Sequence, residues 1–434
     1  MKTRNKNKAK TRLMDLPIEI LIEILKRLPI KSVCCIRCVS KTLSNIVYSP
    51  FFVDLHTRFL IPTNSLAGAA PQLVLRHVES YPGSTTRKLT ALESLNYDES
   101  EGKLTLSEIF STSQREFYSD VAFVFYDLIC FKKAYMDGNC ILSNPLCGEV
   151  LRVPTSNILY TKFGKDITFF DDSYGMGFDD ITSTYKIVRI SRIYERPSYS
   201  KSYVVAQLLV LGTSSWREIP VHPVIYCAIP WDKSVCAYGD MHWLFVDEGE
   251  AKGVHIVSFD FKKEKFYLTP NPVTSRMPYL HLITLGESIA IVDTYFSSMK
   301  VEIWVMKNYN KKEWKREYII NHHMLGLDVD FRFHRANCGE MEYGMYFIDE
   351  KGENLLFLDL RPSSMKCVAC PIGRKKWNGR RRILSLKRSL ISLKKFGDLV
   401  EEPESGGQSA GADLGGGEIG QLPNLDFFFL VMLY

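Results

Sequence analysis

A phrase of about 50 residues recurs five times in the central and C-terminal parts of the chain. Each copy has an apolar run, a polar turn and a short second segment. The copies end at Pro154, Pro220, Pro270, Ile320 and Pro371, with successive spacings of 66, 50, 50 and 51 residues. A period near 50 with several strands per unit is typical of the blades of a kelch-type β-propeller. Such a unit cannot bury its faces alone, so the pattern requires blades stacked around an axis.

Large apolar residues stand at one fixed place in the phrase. Val150, Trp216 and Phe266 each lie four residues before the closing proline, and we expect them to pack between adjacent blades. The longer first spacing indicates an insertion around residues 155–173. The repeats predict five or six blades without deciding between these numbers.

The segment that precedes the repeats has helical periodicity. Its first helix is predicted between Pro17, which suits a first helical position, and Pro29, which stops it. The polar side chains of this helix share one narrow arc, so its apolar surface is wide enough for two neighbours. A second short helix follows, and Ser40 is a candidate N-cap for a third. Three to four short helices in about 45 residues make a unit that needs support from a neighbour.

Residues 15–56 resemble the F-box motif, and especially its plant type. The matching residues are Asp15-Leu16-Pro17, Glu19, Glu23-Ile24-Leu25, Arg27-Leu28-Pro29, Lys31-Ser32, Arg37-Cys38-Val39-Ser40-Lys41, Ile46, Ser49-Pro50-Phe51-Phe52 and His56. Cys35 and Leu43 depart from the family, which usually has Arg and Trp at these places. The resemblance implies that the module binds a Skp-family adaptor, and the residues predicted to make this contact are Leu16, Pro17, Ile20, Leu21, Ile24, Leu28, Val39 and Leu43.

Residues 70–371 resemble the F-box-associated interaction domain of plant proteins. Tyr126-Asp-Leu-Ile-Cys130 is similar to the opening strand of that domain. Tyr174-Gly-Met-Gly-Phe-Asp-Asp180, followed by Tyr185-Lys-Ile-Val-Arg-Ile190, is similar to its most distinctive motif. Further matches follow in the family's order at Leu211-Gly-Thr-Ser-Ser-Trp-Arg217, Ala237-Tyr-Gly-Asp-Met-His-Trp-Leu244 and Glu302-Ile-Trp-Val-Met306. The resemblance implies a kelch-like β-propeller that holds a target protein.

The sequence therefore predicts an α+β multidomain chain. Residues 1–12 form a basic disordered tail, residues 13–60 a small three-helix F-box module, and residues 70–373 the mostly-β propeller. Residues 374–434 are placed outside the propeller as a basic segment, a Gly-rich linker and a short apolar tail, and residues 374–395 are compatible with a helix. The apolar tail has no assigned role.

No sequence pattern in the chain indicates catalysis. A Gly-x-Ser-x-Gly elbow, a Walker-type phosphate loop and a His-Glu-x-x-His pair are all missing. Cys35-x-x-Cys38 and Cys367-x-x-Cys370 are too far apart in sequence to favour a zinc site, which usually gathers its ligands locally. The acidic residues around Asp179 are interpreted as turn residues rather than calcium ligands. We therefore expect neither a metal nor a cofactor.

Targeting patterns and cysteine content in the sequence predict the cellular compartment. The chain has no signal-peptide pattern, and no run approaches the ~20 apolar residues of a membrane helix. Eleven cysteines, an odd number without framework spacing, favour a reducing environment. The expected location is the nucleus, the cytoplasm or both, with no membrane partner.

Two hypotheses of different classes follow. In the first, the chain is the non-catalytic substrate-recognition subunit of an SCF-type ubiquitin ligase, which links an unidentified target protein to the Skp-family adaptor and, through it, to the cullin scaffold. In the second, it is a nuclear protein that binds nucleic acid or chromatin through basic runs at residues 2–12 and 374–382, and its binding would weaken steeply with salt. The second ranks lower because no aromatic stacking motif accompanies those runs. A sugar-hydrolysing or oxidising propeller enzyme is a third possibility, and no legible acid–base or metal set supports it.

Overall fold

The structure is a computed structural model that describes residues 16–28, 30–36, 38–59, 71–80, 88–98, 103–112, 117, 120–132, 140–145, 148–164, 167–195, 202–230, 234–247, 253–273, 279–294, 300–321, 337–341, 344–348, 354–361, 367–371 and 381–400. The predicted basic tail, the Gly-rich linker and the apolar tail lie outside these ranges. Among the described residues, no helix is both long and apolar enough to cross a membrane.

Short helices open the described part of the chain. They are α1 (Ile18–Leu25), α2 (Ile30–Ile36), α3 (Lys41–Val47) and α4 (Pro50–Phe59). The predicted cap of α3 is confirmed, because Ser40 Oγ accepts the Leu43 amide at 3.2 Å. Pro17 precedes the first helical residue and acts as N-cap of α1, so its predicted place inside the helix is off by one position. Its carbonyl accepts the amides of Ile20 and Leu21 at 3.1 Å.

The rest of the described chain is mostly strand. The strands are β1 (Gln72–Ser80), β2 (Lys88–Asp98), β3 (Lys103–Thr112), β4 (Val121–Phe125), β5 (Leu128–Lys132), β6 (Cys140–Asn144), β7 (Glu149–Arg152), β8 (Ile167–Asp179), β9 (Thr184–Glu195), β10 (Ser202–Val210), β11 (Arg217–Ile219), β12 (Ala228–Pro230), β13 (Val235–Ala237), β14 (Asp240–Asp247), β15 (Val254–Asp260), β16 (Lys265–Thr269), β17 (Leu280–Leu285), β18 (Ser288–Asp293), β19 (Lys300–Asn308), β20 (Glu313–Asn321), β21 (Asn337–Met341), β22 (Gly344–Ile348), β23 (Asn354–Asp359), β24 (Cys367–Pro371) and β25 (Arg382–Leu386). Two more helices, α5 (Ile158–Phe163) and α6 (Val224–Cys227), and a 3₁₀ turn at Leu393–Lys395 complete the elements.

These strands pair as six antiparallel sheets within the described ranges, so the chain forms a six-bladed β-propeller. Blade 1 has the order β25-β1-β2-β3, and blades 2 and 3 are built from β4–β7 and β8–β11. Blade 4 contains β12–β16, blade 5 β17–β20 and blade 6 β21–β24. The inner strands, β25, β4, β8, β13, β17 and β21, contact one another around the axis. The mostly-β propeller behind a helical module is thus confirmed.

The repeat in the sequence marks the outermost strands of blades 2 to 6. The strands β7, β11, β16, β20 and β24 end within two residues of the five predicted phrase ends. The longer first spacing holds α5, which lies between β7 and β8. Blade 1 has no copy of the phrase because it is assembled from both ends of the propeller, and this explains why the blade number stayed open.

The predicted C-terminal boundary at residue 373 is wrong, and so is a helix across residues 382–386. Strand β25 pairs antiparallel with β1, with Leu75 opposite Ile383 and Leu73 opposite Ser385. Five residues are too few to show a strand period, and the pairing partner lies about 300 residues upstream. Local pattern therefore could not reveal the strand that closes the ring.

Inter-blade packing follows the fixed apolar positions. Val150 is buried between blades 1 and 2, and Phe266 packs against the core shared by blades 3 and 4. Trp216 Nε1 donates to the Pro154 carbonyl of the preceding blade at 2.6 Å. Trp314 repeats this contact between blades 5 and 4, donating to the Pro270 carbonyl at 2.8 Å. The closing prolines thus mark carbonyls that accept from the next blade.

The glycines of the motif at residues 174–180 allow blades 3 and 4 to approach closely. A Cβ on Gly177 would lie 2.1 Å from the Phe261 ring, and one on Gly175 would lie 2.5 Å from Met241 Cγ. These contacts are shorter than van der Waals separation, so only glycine fits without displacing the neighbouring blade. A packing role therefore accounts for both glycines.

We expect truncation after Arg381 to abolish cooperative folding of the propeller. It removes Ile383, Leu384 and Leu386, which are buried and contribute about 1.5–3 kcal/mol each. Their sum approaches the 5–15 kcal/mol of a whole domain. Thermal unfolding followed by circular dichroism measures the effect, and truncation after Val400 is the matched control. A cooperative transition of the shorter chain at the control's midpoint would contradict closure by β25.

Candidate partner-binding surfaces

The helical module shares one continuous buried core with the propeller. Leu25, Val33, Ile46, Val47 and Phe52 belong to the same cluster as side chains of blades 2 and 3. The sequence predicts that so small a unit needs support from a neighbour, and the propeller provides this support. The first neighbour of the module is therefore its own propeller.

The eight residues predicted to bind the adaptor separate into two groups. Leu21 and Leu43 are only 3% and 1% exposed, so they support the module from inside and present no surface to a partner. Leu16 and Leu28 are half-buried and pack against the same core. Because Leu43 occupies the place where the F-box family usually has Trp, this departure changes the core rather than the surface.

Pro17, Ile20, Ile24 and Val39 are exposed. Ile20 and Ile24 are 46% and 38% exposed, and Val39, in the turn between α2 and α3, is 74% exposed. Pro17, Ile20 and Ile24 follow the i, i+3/i+4 spacing of one helical face, while Leu21 and Leu25 form the inward face. The surplus apolar surface of α1 is therefore real and faces solvent. Whether it contacts an adaptor stays a prediction.

Two further exposed apolar residues were not predicted. Ile18 and Phe51 join Ile20, Ile24 and Val39 among the exposed large hydrophobic residues of the described chain. Five of the eleven such residues lie in this module, which is a small fraction of the described residues, so the surface is concentrated rather than scattered. Phe51 was missed although it falls within the matched motif, because its neighbour Phe52 is the residue with core spacing.

A histidine fixes the end of α1 to α4. His56 is fully buried, and its Nε2 lies 2.8 Å from the Leu28 carbonyl, which makes Nε2 the protonated nitrogen. Burial lowers the pKa of His56 below its usual 6.5. The hydrogen bond ties the turn that follows α1 to α4.

A central cavity of about 330 Å³ lies between the inner strands. Two of its charged lining residues are paired: Lys387 Nζ lies 2.8 Å from Glu340 Oε2, and the Gly286 amide donates to Glu340 Oε1 at 2.6 Å. Burial raises the pKa of Glu340. Glu340 is therefore held by an ion pair and a backbone amide at the edge of the cavity.

Among the described residues, an acid–tyrosine cluster at blades 4 and 5 comes nearest to a catalytic arrangement. The hydroxyls of Tyr267 and Tyr309 both donate to Asp240 Oδ2, the first at 2.7 Å. Lys312 Nζ lies 3.5 Å from the centroid of the Tyr309 ring, and Tyr238 stacks on that ring at 4.3 Å. Burial raises the pKa of Asp240 and of both hydroxyl donors. The side chains join three hairpins and satisfy one another.

The acidic residues near Asp179 are paired with cations. Asp179 Oδ2 lies 2.6 Å from Lys186 Nζ, and its other oxygen accepts the Ile181 amide at 2.9 Å, as a turn residue does. Asp180 pairs with Lys262 at 2.7 Å. Across the described ranges no three His, Cys, Asp or Glu side chains converge on a possible metal position. The interpretation as turn acids is confirmed for Asp179.

Two residues of the second basic run (residues 374–382) are buried or ion-paired within the propeller. Arg381 is buried, and Arg382 lies 3.9 Å from Asp120. The other cations of that run, and the N-terminal run, lie outside the described residues. Nothing in the described part therefore favours a nucleic-acid surface.

A helical module with an exposed apolar stripe, mounted on a propeller, defines a two-domain binding protein. Comparison with family models makes the class specific: residues 13–54 match the F-box domain, and residues 89–378 match the F-box associated beta propeller domain. The chain therefore belongs to the plant F-box proteins that carry an F-box-associated propeller.

Relatives in Arabidopsis thaliana agree with this assignment. The F-box/LRR-repeat protein At2g43260 is 24% identical over 373 residues, which cover 83% of this chain and 80% of that protein. F-box protein DOR is 26% identical over 318 residues, covering 69% of this chain and 72% of that protein. Among solved structures, the periplasmic gluconolactonase PpgL of Pseudomonas aeruginosa aligns at 9% identity over 72% of this chain and 99% of its own, with a TM-score of 0.35, a likeness too slight to carry an inference.

Family membership supports a general role. F-box proteins are generally non-catalytic subunits of SCF complexes, in which the F-box binds a Skp1-like adaptor. A substrate-recognition role of this general kind is what the F-box, the propeller and the relatives together support.

We expect the F-box module to lose stability as the pH falls below about 6.5, the usual pKa of histidine. The unfolded chain takes up the proton of His56 first, because the folded pKa is lower, so acid favours unfolding. Comparing denaturant unfolding at pH 7.5 and 5.5 in wild type and His56→Gln isolates this effect. The variant should be less stable at pH 7.5 by about 1–3 kcal/mol and less sensitive to pH. Equal pH dependence of the two proteins would contradict the assignment.

Proposed function

We propose that this chain is the substrate receptor of an SCF-type ubiquitin ligase. Its F-box would bind the Skp-family adaptor and, through it, the cullin scaffold, while the propeller holds a target protein for ubiquitination and degradation. The observation that carries the proposal is the exposed stripe of Pro17, Ile20, Ile24 and Val39 on a module that matches the F-box domain. An apolar stripe of this kind is stabilised when a partner covers it.

The proposed mechanism is proximity. A receptor that tethers a target near a ubiquitin-charged enzyme raises the effective concentration of the target's lysines without making or breaking bonds itself. The polar arc of α1 supports a surface role, because Glu23 is paired with Lys26 at 2.6 Å and faces solvent beside the apolar stripe. The stripe thus has a polar rim, as protein interfaces commonly do.

We also propose that the protein works in the nucleus, the cytoplasm or both. Among the cysteines whose side chains the structure describes, Cys35, Cys130 and Cys140 carry free thiols, which suits a reducing compartment. A fluorescent fusion expressed in plant cells tests the location, and retention in the secretory pathway would contradict it.

The docking test uses the two faces of α1. We expect Ile20→Ala with Ile24→Ala to weaken adaptor binding by about 10-fold to 1,000-fold, because two partly exposed isoleucines lose contact area at the interface. Alanine keeps the helix. Isothermal titration of the purified adaptor gives the affinity, and thermal unfolding shows whether folding is unchanged.

Matched variants separate docking from folding. Leu21→Ala on the buried face should reduce stability by about 2–5 kcal/mol, whereas Ile319→Ala, at an exposed position of the propeller, should change neither stability nor binding. Alanine at both Leu16 and Pro17 extends the test to the start of the helix. If the double variant at Ile20 and Ile24 binds the adaptor as wild type does, docking through this stripe is refuted.

A further inference from the structure

The closing strand β25 continues into a segment that crosses blade 2. We name residues 387–400 the C-terminal strap. The Lys387 amide donates to the Tyr126 carbonyl at 3.0 Å, and the Val400 amide donates to the Val150 carbonyl at 2.9 Å. Next to that end, Leu399 forms an antiparallel bridge with Leu151. Both ends of the strap are therefore hydrogen-bonded to the same blade.

Two buried carboxylates hold the middle of the strap. Asp127 accepts the Ser389 amide at 3.1 Å and also the Ser389 hydroxyl. Glu149 accepts the Leu393 amide at 2.6 Å and the Ser392 hydroxyl at 3.0 Å. A buried carboxylate is costly unless its oxygens are hydrogen-bonded. The two acids therefore favour a single path of the strap across the blade.

The strap also meets the F-box. Apolar strap side chains belong to the core that also contains F-box residues; they are Leu390, Ile391 and Leu393. Lys395 Nζ donates to the Tyr48 carbonyl at the end of α3 and lies 4.8 Å from the centroid of the Tyr48 ring. The strap thus contacts blade 2 through hydrogen bonds and the F-box through Lys395, while its apolar side chains lie in the core that the F-box shares with blades 2 and 3.

We propose that the C-terminal strap is the positioning element that fixes the F-box on the propeller, with Lys395 as a positioning residue. This inference rests on the proposed ligase function, because a fixed junction matters when a target is presented to a distant enzyme. Proximity depends on geometry as well as on tethering. If the F-box is fixed on the propeller, ubiquitin is transferred only to lysines at one distance from the charged enzyme. If the junction is loosened, more lysines can be reached, each at a lower effective concentration.

The test uses the full chain reconstituted with adaptor, cullin scaffold and ubiquitin-charged enzyme, and takes the chain's own lysines as acceptors. Lys395→Glu removes the donor to Tyr48, and Lys394→Glu makes the same charge change at the exposed neighbouring residue. We expect Lys395→Glu to raise amide hydrogen exchange of residues 41–47 and 387–397 about fivefold, as loss of a solvent-exposed hydrogen bond implies. Mass spectrometry should show a broader set of ubiquitinated lysines. Lys394→Glu should match wild type in both measurements.

A second variant keeps the proposal open to failure. Glu149→Gln withdraws one acceptor from the strap without touching the F-box, and should raise exchange in the same segments. Unchanged exchange in both Lys395→Glu and Glu149→Gln would refute the strap as positioning element. Faster exchange with an unchanged lysine pattern would refute positioning and leave the strap as a structural support. If wild type does not bind the adaptor, the proposed function fails, while the exchange measurement still tests the junction.

Discussion

The pairing of β25 with β1 is the interaction on which the rest of the structure depends. In a ring of sheets each blade covers the faces of its neighbours, so an open ring would leave two apolar faces in water. β25 contributes to both seams of blade 1, because Ile383 is packed with residues of blade 6 and Leu384 with residues of blade 2. Closing a loop of about 300 residues costs about 5 kcal/mol in chain entropy, which the burial at these two seams offsets.

The F-box depends on this closure indirectly. Its helices are too few for a self-sufficient core, and their buried residues join the cluster of blades 2 and 3. The strap that lies in this junction begins where β25 ends, so the same stretch of chain completes the propeller and supports the F-box. Loss of closure therefore removes the platform on which α1 presents its exposed stripe.

Sequence reasoning succeeded where the signal was local and repeated. The outer strands were found because each ends at a similar phrase, and the cap at Ser40 because capping depends on one side chain and its own helix. It failed at β25, whose partner is distant and whose length is too short for periodicity. It could not divide α1 into inner and outer faces, since Ile20 and Leu21 are equally apolar and only the position of the propeller decides which is buried. Asp127 was likewise missed, because the sequence placed it only within the motif that resembles the opening strand of the family's propeller.

Asp127 and Glu149 determine the path of the strap, although nothing in the sequence singles them out. Burial raises the pKa of Asp127 to about 6, although its oxygens accept the amide and hydroxyl of Ser389. At a pH just below about 6, the folded state still binds a proton that an ordinary aspartate in the unfolded chain has released. Ionised Asp127 therefore lowers the stability of the fold near neutrality. A neighbouring cation would reduce the cost of burying this carboxylate. At Asp127 the strap supplies a neutral amide and a neutral hydroxyl, both from Ser389. Neutral donors of this kind stabilise the carboxylate only while the backbone of the strap follows one path. Asp127 therefore lowers the overall stability of the fold, but it selects a single conformation of the strap at the junction.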